Sequence, residues 1–330
     1  MDATPRRRRR ILATIAAAAA LVDLAGAVQA QDWPQRPVRI IVPFAAGGNI
    51  DVLGRLAASR LSDQLGQQFI VENRVGGNGT IAAEAVARSA PDGYTRLWAS
   101  TSVIAIFPAI TKVPYDPIKD FAPIAVLGSN PQVLLVNPSV PAKNVAEFIA
   151  YVRAQPNKLA YAGGGGPGSA SNLLMALFLK RAGLEMSNVS YRGTAPALTD
   201  LIGGHIPTMF IPISEAHTHG KEGRVRMLAV SSGTRARQAP DVPTLAESGF
   251  PGFHAVTWTG LVAPAGTPKA IIDKTAEVFA RAVKDPKFLE QLDTNGVDPM
   301  GEGPEKFAEF IKSEVALWAD AVRTAGVKLQ

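Results

Sequence analysis

The stretch Val38-Arg39-Ile40-Ile41-Val42-Pro43-Phe44-Ala45-Ala46-Gly47-Gly48-Asn49-Ile50-Asp51 decides the fold class. Its first half, Val38 to Phe44, is an apolar run rich in β-branched side chains, the composition of a buried strand. Gly47 and Gly48 end the run, and Val52, Leu56, Ala57, Leu61 and Leu65 follow at helical spacing. Strand, tight loop and helix in that order begin an α/β unit. Paired glycines admit positive φ and leave backbone N–H groups uncovered, while Asn49 or Asp51 can cap the helix. A carboxylate docked there would be held by neutral donors and a helix dipole, without an arginine. The same residues also read as a plain strand-to-helix turn with Asp51 as its cap.

Outward from this stretch the grammar repeats. Phe69 to Asn73 reads as a strand, Gly76 to Gly79 as punctuation, Ile81 to Val86 as a helix and Thr95 to Ala99 as a third strand. Ile124 to Leu127 and Val133 to Val136 flank Gly128 to Pro131, where the chain is expected to cross into a second lobe. Leu159 to Tyr161 opens another strand, which runs into the glycine-rich Gly163 to Gly168 and a helix through Leu173, Leu174, Leu177 and Phe178. Val189 to Tyr191, Pro196 to Ile202, Met209 to Ile213 and Val225 to Val230 continue the alternation. A strand near Phe253 to Val262 brings the chain back, and residues 268 to 325 read as a helical tail. Strands alternating with helices predict mostly parallel sheets covered on both faces. Two such lobes joined by two strands form a cleft, at which helix N-termini offer N–H donors to an anion.

Composition narrows the function classes. With 330 residues, 47% of them hydrophobic and 19% charged, the chain has the size and composition of two globular domains. The absence of cysteine excludes disulfides, a thiol nucleophile and Cys-ligated metal centres. Five of the 34 basic and two of the 28 acidic residues lie in the first thirty, so the rest carries only +3. No basic stripe interleaved with aromatics is present, so no nucleic-acid partner is expected. Arg6 to Arg10, the short apolar stretch Ile11 to Val22 and the small-residue end Val28-Gln29-Ala30 read as an export signal cleaved after Ala30.

Other motifs are less telling. The loop Gly163 to Ser169 lacks the Lys and Ser/Thr of a phosphate loop, and no GxGxxG follows the first strand. Ser169 is either an anion donor or a helix cap, and it is not in a nucleophile elbow. His217 and His219 read as surface-loop histidines without a third metal ligand. Asp200 lies a turn of helix beyond Thr194-Ala195-Pro196, either a structural acid or a catalytic one. Phe44 and Trp258 read as cleft wall or core.

The chain resembles the Bug receptors, the extracytoplasmic solute-binding receptors of the tripartite tricarboxylate transporter family. The residues that carry this are Trp33-Pro34, Pro37 to Phe44, Gly47-Gly48 and Asp51, then Val71-Glu72-Asn73-Arg74, Pro91-Asp92-Gly93-Tyr94 and Pro114-Tyr115-Asp116-Pro117. Tyr191-Arg192-Gly193, Pro240 to Thr244, Pro251-Gly252-Phe253, Trp258-Thr259-Gly260 and Ala263 to Pro268 continue it. The resemblance implies a type II periplasmic-binding-protein fold that closes on a small mono- or dicarboxylate, aromatic ones included, and delivers it to membrane permease subunits. It implies a carboxylate held between the loop at Phe44, Ala46, Gly47, Gly48, Asn49 and Asp51 and the loop at Gly165, Gly166 and Ser169. Ser100, Thr101, Thr194, Ala195, Pro196, Asp200 and Met209 complete the expected site.

Departures from the pattern concern specificity. Ala45-Ala46 replace the usual proline, the second loop is longer and richer in glycine, and Asn172 stands where a histidine is common. Pro207 and Pro108 alter two further cleft-side segments. The expected lobes are 31–129 with 255–330, and 130–254. A monomer without cofactor, metal or enzymatic activity is expected, the competing readings being an α/β enzyme on a small anion and a sensor signalling to a membrane partner.

Overall fold

The computed structural model describes residues 33–156, 158–164, 168–191 and 193–327. The expected export signal, Gly165, Gly166 and Arg192 lie outside these.

Strand β1 (Val38–Val42) has only Arg39 exposed, as its apolar run requires. Helix α1 (Asn49–Leu65) lays Leu53, Ala57, Ala58 and Leu61 toward the core. Strand β2 (Phe69–Asn73) pairs with β1 in parallel register, Val38 opposite Phe69. A tight turn at Gly77–Gly79 leads to α2 (Thr80–Ala87), and β3 (Thr95–Ser100) flanks β1 on its other side, again parallel. A wide π-helical turn, Ser102–Ile106, runs into the short α3 (Phe107–Ile110). Strand β4 (Phe121–Asn130) then leaves this sheet and continues through Pro131 into β5 (Gln132–Val136) of a second one.

The second sheet is built with α4 (Val145–Arg153), β6 (Ala160–Gly164), α5 (Ala170–Ala182), β7 (Ser187–Tyr191), α6 (Thr194–Ile202), β8 (Thr208–Pro212), α7 (Ile213–Lys221) and β9 (Arg226–Val230). Strand β10 (Thr257–Pro264) returns to the first sheet, followed by α8 (Lys269–Ala282), α9 (Pro286–Thr294), the two-residue β11 (Asp298–Pro299) and α10 (Pro304–Ala325). The strand orders are β11-β4-β10-β3-β1-β2 and β7-β6-β8-β5-β9. Two α/β lobes of the type II periplasmic-binding-protein kind result.

The sheets are mixed, not mostly parallel as the alternation of elements suggested. Strand β10 is antiparallel to both β3 and β4, and β5 is antiparallel to both β8 and β9. The crossings cause this: β4 carries the chain out and β10 brings it back beside β4, so neighbours at the crossing run in opposite senses. The return strand also starts later than its apolar pattern implied, at Thr257. The preceding segment stays with the second lobe, where the Ala255 N–H donates to the Ser231 carbonyl at 2.9 Å.

The helical tail does more than return to the first lobe. The first half of α10 buries Phe307 and Ile311 beside Trp258 and Val262 in the first-lobe core. Its last turns bury Trp318, Ala321 and Val322 in the core of Phe148, Phe178 and Phe210 in the second lobe. At the changeover, Glu314 is 2% exposed. Its Oε2 accepts the indole N–H groups of both Trp258 and Trp318, each at 3.0 Å. Burial pushes this carboxyl up to about 7, against the partial counter-effect of the two indoles. Each large apolar side chain that α10 buries contributes about 1.5–3 kcal/mol, enough to make the helix a third tie between the lobes.

Candidate functional site

The first loop takes its shape from one glycine and one acid. Gly47 has φ +85°, while Gly48 has an ordinary extended conformation at φ −75°. Left-handed backbone is therefore used once in the pair. Asp51 does not cap α1 in the expected way. It sits in the first turn and reaches back, its Oδ2 accepting from the Gly47 N–H at 2.9 Å and from Arg55 Nε at 2.9 Å. Its Oδ1 accepts from Asn73 Nδ2 at 2.7 Å, and the same amide group donates to the Phe44 carbonyl. Burial alone would raise the Asp51 pKa, but the bonds from Arg55, Gly47 and Asn73 outweigh it and hold the carboxyl below its usual range. Asp51 is only 2% exposed. Asp51 is thus a strut that fixes Phe44 to Gly48.

No side-chain bond caps α1 at Gly48, so the N–H groups of its first turn keep no partner inside the helix. Asn49 and Ile50 of that turn line a cavity of about 210 Å³ between the lobes. Ser100, Thr101 and Ser102 at the end of β3, Asn130 at the end of β4 and Thr257 to Thr259 at the start of β10 line it from the first lobe. Pro212, Ser214 and Glu215, where β8 turns into α7, line it from the second. The volume is below the roughly 300 Å³ at which drug-sized pockets begin, which limits the occupant to a small solute.

Two hydroxyls just beneath the lining of this cavity are orphans, their oxygens covered by protein. Ser100 and Thr259 lie opposite each other in the β3–β10 register and are 3% and 1% exposed. Neither Ser100 Oγ nor Thr259 Oγ1 has a hydrogen-bond partner among the described residues. A buried hydroxyl left unpaired costs about 1–3 kcal/mol, so two neighbouring ones are a cost that a polar partner would relieve. Thr101 differs: its Oγ1 accepts from the Trp258 N–H at 2.7 Å and so fixes the floor of the cavity.

The other expected site residues divide by position. Thr194 hydrogen-bonds the Glu215 side chain from outside the residues that line the cavity. Ala195 and Pro196, in the same first turn of α6, are exposed. Met209 is fully buried in the second-lobe core, with its Cε 3.8 Å from where a Cβ on Gly164 would lie. Asp200 accepts the Tyr191 hydroxyl at 2.7 Å, which pushes that phenol up to about 12. Ser169 caps α5, its Oγ accepting from the Asn172 N–H at 3.3 Å. The adjoining Gly168 lies against Ile110 of the first lobe. His217 and His219 are on α7 instead of a loop, and the described residues hold no cluster of three metal-ligating side chains.

Asn130, Ser214, Glu215, Thr257 and Thr259 were not among the expected site residues, although Thr259 lies in one of the motifs that carry the family resemblance. The signal was present for Glu215, because Pro212 ends a buried strand and Glu215 falls in the first turn of the next helix, the grammar of the first loop over again. Glu215 is open to the cleft, yet the lobes close around its sides. That desolvation raises its pKa, partly offset by the Thr194 bond.

The sequence profile described as "Tripartite tricarboxylate transporter family receptor" matches residues 53–327. Protein BugT of Bordetella pertussis is 36% identical over 326 residues, covering 97% of this chain and 99% of BugT. A solved periplasmic transporter superposes with a TM-score of 0.73 at 37% identity, over 90% of this chain and 100% of its own. Rpa4515 of R. palustris, solved with adipate, also has a TM-score of 0.73, at 34% identity, over 90% of this chain and 99% of its own.

Proposed function

Because the chain belongs to the tripartite tricarboxylate transporter receptor family and is a periplasmic solute-binding protein for a small carboxylate, we propose that the cavity between Asn49, Ser100, Thr259 and Glu215 is where that carboxylate is held. The observation that carries this reading is the pair of orphan hydroxyls, Ser100 and Thr259, sharing one small cavity with the open first turn of α1. Hydroxyls, free N–H groups and the positive end of a helix dipole together suit a ligand carboxylate without a cationic side chain. Phe44, Ala46, Gly47, Gly48 and Asp51 act from behind, by holding α1 in place. Closure of the lobes removes water and strengthens these few contacts, and the closed form is what the membrane permease subunits read.

In this reading the export signal is cleaved after Ala30 and the mature chain works as a monomer. Its lobes are 31–129 with 255–330, and 130–254, with α10 resting on both. The loop at Gly165, Gly166 and Ser169 and the first turn of α6 at Ala195 and Pro196 close over the ligand from the second lobe. The test is calorimetry of the chain from Gln31 with a panel of aliphatic and aromatic carboxylates, repeated on Ser100→Ala with Thr259→Val. Saturable binding that the double substitution weakens by at least about tenfold, equivalent to roughly 1.4 kcal/mol, supports the site. Full affinity in the double variant refutes it.

A further inference from the structure

The cavity holds a feature that a pocket for plain carboxylates does not need. Glu215 is the one ionisable side chain among its described lining residues, and none of the ion pairs among the described residues reaches it. Desolvation by the cleft walls disfavours the charged form of Glu215 while its place in the first turn of a helix favours it, so a cationic guest would settle it as the carboxylate. The Thr194 hydroxyl occupies one of its acceptor sites and leaves the others open, a carboxylate offering about four. The cleft therefore has free N–H groups, with two orphan hydroxyls just beneath its surface, on the first-lobe side and an unneutralised acceptor on the second-lobe side. Within some 210 Å³ these are too close for a second anion to be indifferent to Glu215. A guest with only carboxylates brings like charge toward it. A guest with an ammonium group supplies the missing cation and up to three N–H donors.

We propose that Glu215 makes this cleft selective for small carboxylates that also carry an ammonium group, the carboxylate lying at Ser100, Thr259 and the first turn of α1, and the ammonium donating to Glu215. This rests on the reading of the cavity as the carboxylate site and adds the second half of the ligand. Glu215 is a specificity residue in contact with the guest, oriented by Thr194.

The experiment compares succinate, L-malate and L-aspartate, which share a four-carbon diacid skeleton and differ by hydrogen, hydroxyl or ammonium at one carbon, together with butyrate and 4-aminobutyrate. Affinities are measured by calorimetry on the mature chain, on Glu215→Gln and on the charge-reversed Glu215→Lys. Because Glu215 is exposed, both variants are expected to fold, and their thermal unfolding checks this. The expected result is that the aminated member of each set binds at least about tenfold tighter than its plain counterpart, the scale of one charge-assisted hydrogen bond. Glu215→Gln abolishes the preference and Glu215→Lys reverses it toward succinate. Plain and aminated members binding equally, or malate matching aspartate, overturns the role of Glu215 while leaving the carboxylate site intact. A preference that survives in Glu215→Lys also overturns it. Binding of none of the five overturns the carboxylate reading of this cavity and the inference with it.

Discussion

Replacing Glu314 by Gln should flatten the pH dependence of stability between about pH 4.5 and 7.5. The carboxyl is 2% exposed and faces two neutral indole donors, and no ion pair among the described residues includes it. When protonated it keeps both indole bonds on Oε2 and carries its proton on the other oxygen. When ionised it puts a charge where no cation answers, and its pKa rises from 4.5 to about 7. At about 1.36 kcal/mol per pKa unit, this shift is worth about 3 kcal/mol. The sign follows from linkage. Below pH 4.5 folded and unfolded chains both hold the proton, so the contribution is complete. As the pH climbs toward 7 the unfolded chain releases the proton while the folded one retains it, and stability falls. Above the folded pKa the loss is complete and the profile levels. Glu314→Gln keeps an acceptor for the indoles and cannot ionise. The difference between wild type and variant should therefore grow by about 3 kcal/mol across this window. In a chain of this size that corresponds to a Tm difference of about 5 °C. Calorimetric unfolding of both proteins at half-unit steps from pH 4 to 8 is the assay. Parallel profiles would refute the argument, since other titrating groups contribute equally to both. Glu314→Leu is the control: both indoles lose their acceptor, so it should be less stable than the Gln variant at every pH.

Four further outcomes are expected. Gly47→Ala forces a Cβ onto left-handed backbone and should cost about 1 kcal/mol in chemical denaturation, whereas Gly48→Ala, whose Cβ would lie 3.6 Å from the Ala45 carbonyl, should unfold like wild type. Gly48→Val should likewise keep the wild-type Tm but lose carboxylate affinity by covering the first turn of α1, and unchanged affinity in calorimetry would count against the anion site. Asp51→Asn should cost about 1–2 kcal/mol at pH 7 and reduce acid sensitivity, because a lowered carboxyl pKa gives stability that is lost as pH falls; urea unfolding at pH 7 and pH 3.5 measures both. Ser100→Ala with Thr259→Val should raise the Tm of the ligand-free protein while lowering affinity, the sign of hydroxyls kept for a guest at the expense of stability.

The elements of this fold were legible because their signals are local. β1, β2 and α1 fall where apolar periodicity and glycine place them, since a strand or helix needs only its own residues to set its exposed and buried faces. The ordered motifs from Trp33-Pro34 to Pro268 were enough to give the family. Of the residues expected at the site, Asn49, Ser100 and Thr101 line the cavity between the lobes.

The direction of strands at the crossings was not legible, because pairing sense depends on which distant strand lies alongside, and β10 meets β4 across more than a hundred residues. The same holds for α10: its apolar stripe announces a buried face but not that Phe307 and Trp318 enter different cores. The roles within the site needed three dimensions for the same reason. Asp51 has the sequence of a cap or a ligand contact, and only the approach of Asn73 and Arg55 makes it a strut. Ser100, Thr259 and Glu215 lie on three elements far apart in the chain, and of the three only Ser100 was expected at the site. What the sequence determined by itself is where the chain turns, which faces it must bury and which family it belongs to. What the tertiary structure decided is which polar groups are left without partners once those faces are buried, and which of them come together beside the cavity between the lobes.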